Sequence, residues 1–480
     1  MSQQPLQLIA KDGVTLSNIT ADSRQVAANS LFLAYPGEKL DGRDFIAQAV
    51  AQGAAAVIWE QQDFAWDPQW QVTNYVVSGL RSQAGFIADE FYGQPSKQLW
   101  MIGVTGTNGK TSCSQWLAQA FNTLGRKTAV LGTLGNGFPN ALSAAINTTP
   151  DPIKLHGMLA DYLKQGAQAV AMEVSSHGLY QGRVNGVHFD VAVLTNLTRD
   201  HLDYHGDMAG YAAAKRKLFD WDSLGCAVLN VDDEFGHQVS QELTVRGKRV
   251  LSYGLSAGDV RGSELKFNDK GFTMQVSTPF GSDTLRVPLL GRFNAYNALA
   301  VLATLLVSKV SLDDAVNVMA QLEPVAGRMQ RYGGGHQPIV VIDYAHTPDA
   351  LENVLSTLRE QVKGELVCVF GCGGDRDAGK RPLMGKVASQ LADKVILTSD
   401  NPRSEKPLDI IDAISTGIEG AYSINADRTS AIMGAVTSAE AGDIVLVAGK
   451  GHENYQEIAG VRHPYSDAEV VSQALERMAA

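Results

Sequence analysis

The segment Gly106-Thr107-Asn108-Gly109-Lys110-Thr111-Ser112 carries the densest chemistry in the chain. Its two glycines let neighbouring backbone N–H groups turn toward one anion, and the helix that follows points its positive end at the same place. The lysine can neutralise the outer phosphates of a nucleotide, and the Thr111 hydroxyl is of a type that ligates Mg²⁺. The spacing departs from the standard phosphate loop, because Val104 stands where a glycine belongs. An apolar run at residues 99–104 precedes it and a helical stretch follows, so nucleotide binding is preferred over an ordinary turn.

Reactive side chains recur just past other apolar runs. Glu173, Ser175 and His177 follow one, and Asn196-Leu197-Thr198-Arg199-Asp200-His201-Leu202-Asp203 follows another. Glu173 and His201 are ligand types suited to a divalent ion beside phosphates; each alone reads rather as a helix cap or surface group, but sharing a sheet edge with the phosphate loop reverses that order. The last third has four such clusters: Asp343-Tyr344-Ala345-His346, Gly371-Cys372-Gly373-Gly374-Asp375-Arg376, Asp400-Asn401-Pro402-Arg403 and Gly449-Lys450-Gly451-His452-Glu453. Arginine grips carboxylates with paired N–H bonds and acids hold ammonium groups. The clusters therefore predict a site for a substrate carrying both.

These residues need a scaffold that brings strand ends together. Apolar runs at 99–104, 127–131, 169–174, 191–195 and 227–231 alternate with helix-length stretches, the pattern of a doubly wound parallel sheet. Such sheets bind ligands beyond the carboxyl ends of their strands. The rhythm restarts at 339–342, 366–370, 394–398 and 444–447. Near the start, 31–34 reads as a strand and 45–52 as a helix, with an apolar segment after it at 54–59. Period-two alternation between 248 and 290 predicts an antiparallel patch, followed by a helix at 294–308 and a linker at 323–328. The expected fold is α/β in three domains, 1–96, 97–328 and 329–480.

Among 480 residues, 40 Lys+Arg face 51 Asp+Glu, a net charge of −11. With no basic run, that balance excludes nucleic acid as the main partner but not small anions held by local charges. The apolar run 298–307 is about half the ~20 residues of a membrane-spanning helix. Met1-Ser2-Gln3-Gln4-Pro5 lacks the features of a signal peptide, so a cytoplasmic protein without membrane insertion is expected. Cys113, Cys226, Cys368 and Cys372 are too scattered for a disulfide framework, and the last two read as buried thiols rather than zinc ligands. No obligate protein partner is evident.

The phosphate loop, Asn147-Thr148-Thr149-Pro150, Glu173-Val174-Ser175-Ser176-His177, the segment from Asn196 to His205, and Asp343-Tyr344-Ala345-His346-Thr347-Pro348 together resemble the Mur ligases. These are ATP-dependent amide-bond ligases of peptidoglycan precursor synthesis, and the resemblance runs from about residue 20 to 467. It implies an N-terminal UDP-binding domain, a central P-loop ATPase domain and a C-terminal Rossmann-like domain. Asp400-Asn401-Pro402-Arg403 resembles the signature of members that add meso-diaminopimelate to UDP-N-acetylmuramoyl-L-alanyl-D-glutamate.

By the same resemblance, Ala21 and Ser23 would lie against the uridine nucleotide, while Asn147, Thr148, Thr149, Ser175, Gln181 and Arg183 would hold the muramoyl-dipeptide arm. ATP would meet residues 106–112 together with Asn294, Asn297, Arg328, Asp343 and His346. Lys215 matches the lysine that the family carries as a carbamate, which with Thr111, Glu173 and His201 would hold Mg²⁺. Lys110, His201 and Lys215 would be the catalytic groups. Arg376, Asp400, Asn401, Pro402, Arg403, Gly449 and Glu453 would bind diaminopimelate. Glu38-Lys39-Leu40 departs from the His-Gln-Ala type of some relatives at a loop that touches UDP.

Two rival readings differ in class or substrate. A folylpolyglutamate synthase shares the ligase architecture and a similar loop, but fits the segments at 147–150 and 400–403 less well. A regulatory P-loop NTPase would hydrolyse ATP with no amine, and leaves the strand-end clusters of the last third without a purpose.

Overall fold

A computed structural model describes residues 5–38, 40–268 and 271–479; the first four residues and Lys39 lie outside that range. Contacts divide the chain into two compact units. The first comprises Met1–Thr105, Gly125–Ala192 and Ala214–Gly225, and the second Gly106–Leu124, Val193–Ala213 and Cys226–Ala480.

The first unit opens with a four-stranded parallel sheet, in the order Asn18–Thr20, Ser30–Ala34, Ala54–Glu60, Thr73–Val77. Leu31, Leu33 and Ile58 pack on one face with Leu80, Ala84 and Ile87 of the helix Leu80–Phe91. Phe32, Val57 and Trp59 pack on the other with Ile46 and Ala49, extended by Phe64, Trp66 and Trp70. This alternation is how a central parallel strand buries both faces. A second set of strands pairs Trp100–Thr105 and Thr128–Gly132 in parallel with Ala169–Glu173, and a glycine-rich antiparallel ribbon, Gly135–Phe138 and Ala141–Ser143, extends it. His156, on the helix Pro152–Lys164, meets Asp89 of the helix Leu80–Phe91 at 3.3 Å, with both side chains buried.

In the second unit the helix Lys110–Thr123 packs on Arg292–Val307. The latter is apolar all round and buried from Ala298 to Val307, which makes the long apolar run a core helix. No helix among the described residues is long and apolar enough to cross a membrane. Cys226–Asn230, Val250–Gly254 and Val260–Asn268 pair in parallel; Gly271–Thr278 and Gly281–Val287 continue antiparallel. The expected antiparallel patch is thus three strands, with its first neighbour parallel.

The last third forms a six-stranded sheet in the order Gln330–Gly333, Ile339–Asp343, Ile444–Ala448, Leu366–Phe370, Lys394–Leu397, Ser423–Ile424. Only Gln330–Gly333 runs antiparallel. Leu351, Met384 and Ile411 cover one face, and Ile432 and Val471 the other, so the sheet is doubly wound. All four expected strands of this third are present, and their carboxyl ends share one edge. Cys368 and Cys372 are buried here, and burial pushes the Cys372 thiol up to about 12.

Arg428 and Asp467 tie the second face together as a fully buried ion pair at 2.7 Å. The guanidinium also donates to the carbonyls of Ala448 at 2.9 Å and Ser399 at 3.3 Å. Removing one partner strands a buried charge. Arg428→Met is therefore expected to lose about 3–5 kcal/mol of stability in urea unfolding followed by far-UV circular dichroism, and the Arg428→Met/Asp467→Leu pair to recover much of it.

Candidate active site

The phosphate loop is held from one side by the segment that follows residue 194. Thr195 Oγ1 donates to the Asn108 carbonyl at 2.6 Å, and the Asn108 N–H donates to Asn196 Oδ1 at 2.9 Å. Thr107 Oγ1 accepts from the Thr198 N–H at 2.9 Å and contacts the Tyr211 hydroxyl at 3.2 Å. Gly106 has φ 147°, and a Cβ there would stand 1.8 Å from Thr195 Oγ1; Gly109 has φ 85°, with a Cβ 2.4 Å from Asn297 Oδ1. Both glycines are required by this close approach. Lys110 Nζ curls over the loop, donating to the carbonyls of Gly106 and Thr107 at 2.8 Å each.

Beside the loop lies a cavity of about 830 Å³, within the range of small-molecule sites. Asn108, Gly109, Ser112, Asn294, Asn297, Arg328 and Asp343 line it, and so do Asn196, Asp233, Arg292, Tyr296 and Asp349, which the sequence does not single out as ligand contacts. Asn297 donates to Asn294 at 3.1 Å, and Asn294 donates to the Leu290 carbonyl at 2.7 Å. Arg328 donates to Thr111 Oγ1 at 3.2 Å and lies 4.6 Å from the centre of the Tyr344 ring. Its Nε is buried without a hydrogen-bond partner among the described residues. Burial raises the pKa of Asp343, with Arg328 and the Met329 N–H acting against it.

Asp200 is the charge centre of the next strand end. Its carboxylate stands 3.3 Å from His201 Nε2, 3.7 Å from His346 Nε2 and 3.8 Å from Lys380 Nζ. Burial alone would raise its pKa, but the His346 hydrogen bond and the charges of His201, His346 and Lys380 hold it well below the ordinary value. His201 itself takes φ 55°, an uncommon conformation for a side-chain-bearing residue. The structure thus joins two segments, around 200 and 346, that the sequence offered as separate motifs.

At the other edge, Asn401 donates to Glu453 Oε2 at 2.8 Å, and Arg403 Nη1 donates to the Gly374 carbonyl at 2.7 Å. Arg403 also faces Glu457 at 3.6 Å. Arg376 is exposed and donates to the Asp375 carbonyl at 2.9 Å, yet its Cγ and Arg403 Nη1 both border Gly373. Gly449 has φ 113° and packs against Asp400, where a Cβ would lie 2.5 Å from Oδ2. Pro402 is buried between these groups in sequence.

In the first unit, Arg183 donates to Gln181 Oε1 at 2.7 Å and to the Thr149 carbonyl at 2.9 Å. Gln181 in turn donates to Glu38, which also pairs with Arg81 at 3.4 Å. Thr149 Oγ1 donates to the Glu173 carbonyl at 2.9 Å and to Ser175 Oγ at 3.1 Å. The Glu173 carboxylate accepts from the Thr133 N–H at 2.8 Å and from Thr133 Oγ1 at 3.1 Å; Thr133 Oγ1 also contacts Thr148 Oγ1 at 3.1 Å. Ser23 is buried on Gln48, Ala21 is half-buried and Asn147 is exposed. Lys215 is buried at 1% exposure rather than solvated on a helix surface.

Family models match in order along the chain: Mur ligase family, catalytic domain, over residues 15–92; Mur ligase middle domain over 104–305; Mur ligase, glutamate ligase domain, over 327–451. Two curated UDP-N-acetylmuramoyl-L-alanyl-D-glutamate--2,6-diaminopimelate ligases are similar throughout. That of Chromobacterium violaceum is 54% identical over 98% of this chain and 96% of its own. That of Nitrosomonas europaea is 51% identical over 97% and 94%. The chain belongs to the Mur ligase family.

A solved structure of a ligase of the same description superposes on this Mur ligase with TM-score 0.71 and 39% identity, covering 97% of this chain and 96% of that one. The MurF ligase of Thermotoga maritima in complex with ADP gives TM-score 0.67 at 19% identity over 96% and 97%, a likeness of fold alone. A Mycobacterium tuberculosis folylpolyglutamate synthase covers 77% of this chain and 92% of its own at 21% identity and TM-score 0.63, again fold alone.

Asp349 was detectable in this Mur ligase only through the fold: it accepts from Asn108 at 2.8 Å across 241 residues of sequence. Among the described residues no three His, Cys, Asp or Glu side chains gather as a metal site. The donors of the expected set are a hydroxyl, a carboxylate, an imidazole and a carbamate, types suited to Mg²⁺, which fills its shell largely with phosphate and water.

His452 borders Tyr344 at 5.4 Å between ring centres. Burial, with Arg328 and Lys450 nearby, lowers its pKa from 6.5 to about 4. The unfolded chain therefore binds a proton between pH 6.5 and 4 that the folded chain does not, and acid removes stability through that window. Discounted for partial exposure, the loss is on the order of 1–2 kcal/mol. His452→Gln should flatten the fall of the urea midpoint between pH 6.5 and 4.5 relative to wild type.

Proposed function

We propose that this Mur ligase uses ATP to join the γ-carboxylate of UDP-N-acetylmuramoyl-L-alanyl-D-glutamate to an amino group of meso-diaminopimelate, in peptidoglycan precursor synthesis. The observation that carries the reading is the content of the second unit: a phosphate loop beside a nucleotide-sized cavity, and an edge where Arg403 and Glu453 offer opposite charges to a zwitterionic amino acid. Identity of 54% over nearly the whole length of a relative so named supports it. Its domains run 1–96, 97–328 and 329–480, and its nucleotide substrates place it in the cytoplasm.

A carboxylate acylates amines poorly, so the γ-phosphoryl group passes to it first, forming an acyl phosphate and ADP. The loop N–H groups and Lys110 stabilise charge on the transferring group, while Asn294, Asn297, Arg328, Asp343 and His346 hold the nucleotide. Ala21 and Ser23 lie toward the uridine, and Asn147, Thr148, Thr149, Ser175, Gln181 and Arg183 orient the dipeptide arm. The amine, oriented by Arg376, Asp400, Asn401, Arg403, Gly449 and Glu453, then attacks the acyl carbon, loses its proton, and phosphate leaves. Thr111, Glu173, His201 and a carbamate on Lys215 would hold Mg²⁺, which would supply positive charge between carboxylate and phosphate. Burial at 1% exposure sets Lys215 apart from a solvated surface lysine, as the carbamate reading requires.

Lys215→Ala should lower turnover by about a hundredfold or more, with partial recovery in added short-chain carboxylates; wild-type turnover in the variant would exclude the carbamate. Without the distal carboxylate Arg403 loses a charged partner in the substrate and keeps only the Gly374 carbonyl and Glu457. Mass spectrometry of products from mixed amino acids should therefore show kcat/KM for meso-diaminopimelate exceeding that for L-lysine by about a hundredfold or more. Comparable values would refute the amino-acid assignment.

A further inference from the structure

Lys450 has no part in the chemistry described above, yet its side chain is fully buried at the amino-acid edge. It follows the strand Ile444–Ala448 and stands between two glycines of positive φ, Gly449 at 113° and Gly451 at 54°. Its Nζ donates to Glu453 Oε2 at 2.7 Å and to Asn401 Oδ1 at 2.9 Å, and lies 5.4 Å from the centre of the Tyr455 ring. Asn401 closes the triangle, donating its amide to the same Glu453 oxygen at 2.8 Å, and its Oδ1 also accepts from the Glu457 N–H at 2.9 Å.

This arrangement fixes two orientations at once. An asparagine amide can be flipped at little cost unless its partners differ in kind. Here Oδ1 meets two donors and Nδ2 meets a carboxylate, so only one orientation satisfies all three. Glu453 has Oε2 tied to Lys450 and Asn401, and Oε1 takes no part in the triangle. A buried charge is tolerated only where it is paired, and the side chains paired with this ammonium are ones assigned to the amino acid.

We propose that Lys450 is a positioning and specificity-determining residue: it locks Asn401 and Glu453 into the geometry that receives the amino-acid substrate, and balances the Glu453 charge so that a zwitterion is favoured over a cation. The inference rests on the assignment of this edge to diaminopimelate. Without the ammonium, Glu453 is an uncompensated anion in a partly buried site, Asn401 loses the donor that sets its amide, and the edge shifts toward cationic side chains such as that of L-lysine.

The test compares wild type, Lys450→Met, Lys450→Arg, Glu453→Gln and the Lys450→Met/Glu453→Gln pair, each checked for its thermal unfolding midpoint, with KM measured for all three substrates. Loss of charged hydrogen bonds should raise KM for diaminopimelate in Lys450→Met by about 10- to 100-fold, with KM for ATP and the UDP-linked acceptor within about twofold. The preference for diaminopimelate over L-lysine should narrow. Lys450→Arg should restore part of the loss, and the double variant should be no worse than about the poorer single one. Unchanged KM for diaminopimelate, multiplicative losses in the double variant, or a parallel rise for all three substrates would overturn the inference while leaving the ligase reading intact. Wild type that forms product with another amino acid but not with diaminopimelate would overturn both.

Discussion

Two anions must come within bonding distance before any amide can form here. At about 4 Å, unit charges of like sign repel by roughly 4 kcal/mol at an effective dielectric near 20, and the phosphoryl group carries more than one. A chain with net charge −11 cannot answer that with its overall field. It uses placed groups instead: N–H groups of a loop that only glycine can build at 106 and 109, Lys110 above it, and Arg328 reaching Thr111. The rest of the second unit keeps these few groups still.

Asp200 is the counterpart on the negative side. Buried, with two histidines and a lysine around it, it links a strand end near 200 to one near 346. Arg428 with Asp467 acts similarly within the last sheet, and its guanidinium touches the carbonyls just before Asp400 and Gly449. These two buried sets of charges fix where strand ends sit, and so where their side chains point.

The parallel strands were legible because continuous apolar runs of four to six residues, as at 366–370 and 444–447, leave few alternatives once helices separate them. The phosphate loop was legible because its chemistry is local. What escaped was short, edge-exposed or glycine-rich: Thr73–Val77, the ribbon Gly135–Phe138 with Ala141–Ser143, and the hairpin Tyr455–Ile458 with Val461–Pro464. Such strands pair through backbone bonds and carry little hydrophobic pattern. Contacts between distant segments, such as Asn108 with Asp349 or Lys450 with Asn401, have no trace in either local sequence. The motif at 400–403 lies at this edge, but its letters carry no sign of Lys450, which bonds its asparagine.

The hairpin has a further consequence. Arg403 donates its N–H to the Glu457 carbonyl at 3.0 Å and accepts at its own carbonyl from Ala459 at 2.7 Å, while the Gln456 amide donates to the Asp400 carbonyl at 2.7 Å. The four-residue signature is thus one half of a backbone clasp whose other half lies more than fifty residues onward. Transplanting Asp400 to Arg403 alone into another Mur ligase framework would carry the letters without the clasp. For engineering, the unit of exchange is the pair of segments, because neither keeps its backbone partners without the other.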